Sequence, residues 1–128
     1  MLFATLFLIS IAPTPPKCVE KIEASATPES GKTLTAAQWS ALAVLFHETG
    51  KKLVSEHKTE LATQSFLLSA SIDKHYVAPH LALGSLYEAL GNRACAKVHS
   101  RRVVDLESDP EKRRAAREKM KALSGRAG

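Results

Sequence analysis

Aromatic residues are scarce in this 128-residue chain, with four Phe, two Tyr and one Trp making 5% of it. None follows Tyr87, so the C-terminal part lacks a stacking platform for single strands or RNA bases, which disfavours specific nucleic-acid recognition. There are only two cysteines and no C-x-x-C. Two are too few for a disulfide framework, so packing is expected to hold the fold. Cys18 reads as an incidental exposed thiol and Cys95 as a small buried residue. Nor is there an H-E-x-x-H or a G-x-S-x-G, which removes the common zinc-hydrolase and serine-nucleophile signatures. An excess of either charge is missing from most of the chain: residues 1–110 carry 11 basic and 11 acidic side chains. Residues 111–128 carry 7 basic and 2 acidic, so the formal net charge of +5 resides in the tail. A globally basic nucleic-acid binder is thereby excluded. What is present is 45% apolar and 24% charged, the composition of one small domain with a core.

Residues 1–12 open with MLFATLFLISI, uncharged and mostly apolar. As a helix this run spans ~18 Å, against ~30 Å for the hydrocarbon core of a bilayer. A docking helix, a targeting or membrane-inserting segment, and disorder all remain open for it. Residues 13–35 hold four of the six prolines and most of the Ser/Thr clustering, and read as a linker. Within it, residues 26–33 (ATPESGKT) fit a permissive phosphate-binding loop. Such a loop must leave a buried strand, and none is apparent. Pro28 removes a donor and Glu29 repels phosphate, so the match is taken as chance.

From Thr35 onward the periodicity is helical. Thr35 and Gln38 form a capping box, followed by Trp39, Leu42, Ala43 and Phe46 on one face, with Gly50 as the expected stop. Further helices are expected over about 60–72, 77–90 and 93–106. Gly91-Asn92 breaks the third, and its nearly continuous apolar character asks for cover on more than one side. A fifth helix, with Ser108 as its expected cap and Pro110 in the first turn, carries a thin stripe of Ala116, Met120 and Leu123.

The first and third helices match as Trp39-x-x-Leu42-Ala43-x-x-Phe46-x-x-x-Gly50 against His80-x-x-Leu83-Gly84-x-x-Tyr87-x-x-x-Gly91, an offset of 41. The second and fourth match through Ala62/Ala96 and Phe66/Ser100 at an offset of 34. The seven extra residues, near 51–57, are expected to add a turn to each helix of the first pair. Over 36–108 the chain resembles two tetratricopeptide repeats, with 109–124 as a basic capping helix and 125–128 as a flexible end. The resemblance implies an all-α fold of antiparallel helical hairpins stacked as a short superhelix. Small residues at 43, 84, 62 and 96 would permit close approach, and Trp39, Phe46, Phe66 and Tyr87 would fill the wedge. His80, Ser100 and the late Pro110 depart from the family pattern.

The same resemblance implies a non-catalytic scaffold or adaptor that holds a partner's peptide or helix in a groove lined by Ser40, Val44, His47 and Glu48, then Ala78, Leu81, Ser85 and Glu88. It does not extend to the carboxylate clamp of Hsp70/Hsp90 co-chaperones, whose positions are occupied here by Ser40, Val44 and Ala82. The two glutamates suit a partner with some basic residues. For the tail (Lys112, Arg113, Arg114, Arg117, Lys119, Lys121) a solvated cap is expected. The alternative is a membrane-associated adaptor using residues 1–12 and this helix against anionic lipid. Cys95 and His99 stand one turn apart, but a closed zinc site needs four ligands, so no metal or other cofactor is expected. The expected setting is the cytoplasm, with the N-terminal run as a signal-like exception.

Overall fold

A computed structural model describes Cys18 and residues 34–125. The rest of 1–33, including the apolar run, most of the linker and the ATPESGKT stretch, lies outside the described residues, as does 126–128. The described part is all-helical: α1 (Ala36–Ser55), α2 (Thr59–Ile72), α3 (Ala78–Ala89), α4 (Arg93–Leu106) and α5 (Pro110–Gly125). Each helix packs on the next in sequence. No helix among the described residues is long and apolar enough to cross a membrane.

Local chemistry accounts for the ends. The capping box at α1 forms as expected: Gln38 N–H donates to Thr35 Oγ1 (3.2 Å) and Thr35 N–H to Gln38 Oε1 (2.8 Å). Asn92 both follows the stop of α3 and caps α4, accepting from Cys95 N–H. At α5 the cap is Asp109, whose carboxylate accepts from Glu111 N–H, not Ser108. Pro110 explains the shift: with its φ preset and no N–H to satisfy, it takes the first helical position and makes Asp109 its predecessor.

Gly50 does not end α1. The helix continues to Ser55, and His57 supplies the left-handed residue (φ 62) that closes it. His57 N–H bonds Val54 C=O and Lys58 N–H bonds Leu53 C=O. Gly91 (φ 78) closes α3 with the same two bonds, Gly91 N–H to Glu88 C=O and Asn92 N–H to Tyr87 C=O. The two stops are 34 residues apart. So are Gly50 and Gly84, and each faces its own partner on the following helix. A Cβ at Gly50 would stand 2.6 Å from Phe66 Cε1, and one at Gly84 would stand 3.4 Å from Ser100 Oγ. The first helices are therefore equivalent at the same offset of 34 as the second ones, and the 41-residue alignment is corrected. The extra length sits in α1 alone: 20 residues against 12 in α3, while α2 and α4 have 14 each.

The core joins both pairs through Ala62, Phe66, Leu67, Leu83, Tyr87, Cys95 and Ala96. Between α1 and α2 the small residues bring backbones close enough for Ser69 Oγ to donate to Ala43 C=O (2.6 Å) and Ser65 Oγ to Phe46 C=O (2.7 Å). Trp39 is 39% exposed instead of wedged between helices, and Leu61 of α2 is 52% exposed. Leu42 and Phe46 are half-buried.

The largest correction concerns the cysteines. Cys18 and Cys95 form a disulfide across 77 residues of sequence, so neither is a free thiol. It pins a point of the N-terminal linker to α4, a constraint that packing alone was expected to make unnecessary.

Candidate functional site

Two surfaces and one buried cluster gather the polar and apolar side chains that could act. The first surface is a trough between α1 and α3, with Phe66 of α2 at its base. Its volume is about 370 Å³, and Val54, Ala82, Leu86 and Ala89 make it mainly apolar, with Lys51 and Ser85 at its edge. The second is a pocket of about 210 Å³ bounded by α3, α4 and α5.

Of the residues expected to line one groove, Ser85 borders the trough and Leu81 borders the α3–α4–α5 pocket instead. Ser40 lies beside Trp39, Leu68 and Ile72 on a shallow surface of α1 and α2. Val44 is exposed, Ala78 half-buried. His47 is a correction: it is buried against Phe66 (ring centroids 5.4 Å apart) and Tyr76 (5.6 Å) and presents nothing to a groove. Its Nδ1 has no hydrogen-bond partner among the described residues, and desolvation holds its pKa below the usual value. The misplacement follows from the register. An alignment at 41 sets the lining of α1 too close to its N-terminus, whereas an offset of 34 pairs Ser85 with Lys51 and Glu88 with Val54. Gly50 and Gly84, 34 apart, were the signal that identifies Lys51 and Val54.

The acidic character expected of the groove is largely neutralised. Glu48 pairs with Lys51 (3.3 Å), and Glu88 with Lys119 of α5 (3.1 Å). The tail is therefore not a uniform free stripe. Arg113 donates from Nε and Nη2 to Glu107 C=O at the end of α4, and Lys112 and Lys119 line the α3–α4–α5 pocket. Arg114, Arg117 and Lys121, spaced i, i+3 and i+7, form the remaining exposed face.

The buried cluster is a stack of Tyr87, His99 and His80, with centroids 5.6 and 5.3 Å apart. His99 Nε2 lies 2.9 Å from Cys18 C=O, which can only accept, so Nε2 carries the hydrogen. Neutral His99 then accepts at Nδ1, and His80 Nδ1–H donates to it across 3.0 Å. The chain of donors runs from His80 through His99 to the carbonyl of Cys18. Burial, helped by the neighbouring His99 and by Arg102, lowers the pKa of His80 to about 4. That of His99 is lowered by burial too, against the opposing effect of its bond to Cys18. Among the described residues no three metal-ligating side chains converge.

No family model matches the chain, and neither any curated protein nor any solved structure matches it.

Proposed function

We propose that the protein is a non-catalytic interaction module, two tetratricopeptide-like helix pairs and a closing helix, that holds a segment of a partner protein in the trough between α1 and α3. The equivalence of Gly50 with Gly84 and of His57 with Gly91 at 34 residues supports the repeat part of this assignment. The trough itself carries the functional part. Val54, Ala82, Leu86 and Ala89 leave an apolar channel open beside the covered core, and Leu90 and Val54 remain 56% and 42% exposed. A channel of that kind suits apolar anchors on an extended or helical peptide. The disulfide supports an oxidising compartment over the expected cytoplasm, since such bonds persist where thiols are not kept reduced.

The test is panning of a displayed random-peptide library against the full chain, with Ala82→Arg and Leu86→Glu as comparison proteins. Selected peptides should lose at least tenfold in affinity for both variants while helical circular dichroism is retained. Selected peptides that bind the variants unchanged would place recognition elsewhere.

A further inference from the structure

The pocket bounded by α3, α4 and α5 is distinct from the trough and differs from it in charge. On α5, Lys112, Ala115, Ala116 and Lys119 fall at i, i+3, i+4 and i+7, so the helix presents small residues between two lysines. Leu81, Val103 and Ala116 make the walls apolar. The absent side chain of Gly84 leaves the floor open, and Ser100 Oγ stands 3.4 Å from where its Cβ would be. Ser100 is only 4% exposed. Its hydroxyl nevertheless makes no hydrogen bond among the described residues, whereas Ser65 and Ser69 of the first pair each donate to a carbonyl. The hydroxyl borders the cavity and is left to whatever occupies it.

The rim is basic. Lys112 is exposed and pairs with no carboxylate among the described residues. Lys119 is shared between Glu88 and Ser85 Oγ. At about 210 Å³ the cavity is smaller than the ~300–1,000 Å³ typical of small-molecule sites, which suits one side chain of a larger ligand.

We propose that this pocket seats one branched aliphatic side chain of an acidic partner segment, with a flanking carboxylate held by Lys112 and the Ser100 hydroxyl. The proposal rests on the partner-binding function above and names the partner's chemistry. It reverses the basic partner that Glu48 and Glu88 suggested in the sequence, because both glutamates are already paired with lysines.

Fluorescence anisotropy of labelled, end-blocked peptides against the full oxidised chain tests it. The probes are Ser-Asp-Leu-Asp-Ser, its counterpart with Lys for both Asp, and Ser-Asp-Ser-Asp-Ser. The first should bind at least tenfold more tightly than the other two. Lys112→Glu should remove that preference and Ser100→Ala should weaken binding severalfold. Lys97→Glu makes the same charge change away from the pocket and should leave binding within twofold. Equal losses from Lys112→Glu and Lys97→Glu would mean diffuse attraction and overturn the proposal. So would absence of binding by the Asp-Leu-Asp probe up to about millimolar concentration. Binding of the Lys probe, abolished by Leu86→Glu, would keep the trough as the partner site while removing the acidic specificity. A self-association of the chain that Lys112→Glu abolishes would make a second copy the occupant and likewise overturn it.

Discussion

Replacing Gly50 and Gly84 by alanine should have opposite effects, although both glycines occupy equivalent places in first helices. In an exposed helix the exchange stabilises by about 1 kcal/mol, since alanine loses less backbone entropy. At Gly84 the new methyl meets nothing nearer than Ser100 Oγ at 3.4 Å, ordinary contact, so most of that gain should appear. At Gly50 it would stand 2.6, 2.7 and 2.9 Å from Cε1, Cδ1 and Cζ of Phe66. That ring is 1% exposed and lies against His47, so it cannot swing aside without disturbing the α1–α2 contact. Overpacking of this kind costs about 1–3 kcal/mol, which exceeds the helical gain and leaves a net loss of about 1 kcal/mol. For a domain of this size 1 kcal/mol moves Tm by about 4–8 °C. Thermal denaturation of the full chain by circular dichroism should show Gly84→Ala melting higher than the parent and Gly50→Ala lower. If both variants moved Tm the same way, the 34-residue equivalence would not describe how the helices touch.

Reduction should destabilise the domain. Closing a 77-residue separation corresponds to about 4.5 kcal/mol of chain entropy, so added thiol should lower Tm by more than 10 °C. Cys18→Ala should melt like the reduced parent and ignore thiol, and a parent melt unmoved by reductant would refute the constraint. Acid should destabilise it as well. His80 titrates near 4 when folded and near its ordinary value of 6.5 when unfolded, so the unfolded chain binds the extra proton between those values. Its stabilisation is complete above pH 6.5 and falls on acidification towards pH 4, on the order of 3 kcal/mol, with His99 acting in the same direction. Urea unfolding from pH 7.5 to 4.5 should show that slope, and His80→Phe should flatten it. An unchanged slope in that variant would place the acid sensitivity in other groups.

The helices were legible in the residues because their signals are local. Thr35 and Gln38 cap within one turn, Gly91 and Asn92 stop one helix and start the next, and α4 begins and ends where its pattern does. Hydrogen bonds spanning three or four residues decide such features, so neighbours in sequence suffice. Gly50 was ambiguous for the same reason. A glycine serves a helix stop and a close approach equally well, and only Phe66 across the interface distinguishes them. That distinction decided which positions of the two helix pairs correspond, and the same packing puts Lys51, Val54 and Leu86 beside the trough while His47 is buried. The tail's composition was visible, but the placement of Lys112 and Lys119 beside the α3–α4–α5 pocket depended on how α5 meets α3 and α4. The bond from Cys18 to Cys95 and the donor chain through His99 and His80 join groups far apart along the chain. No local preference encodes such a meeting; the packing of α3 and α4 sets the place at which those atoms come within reach.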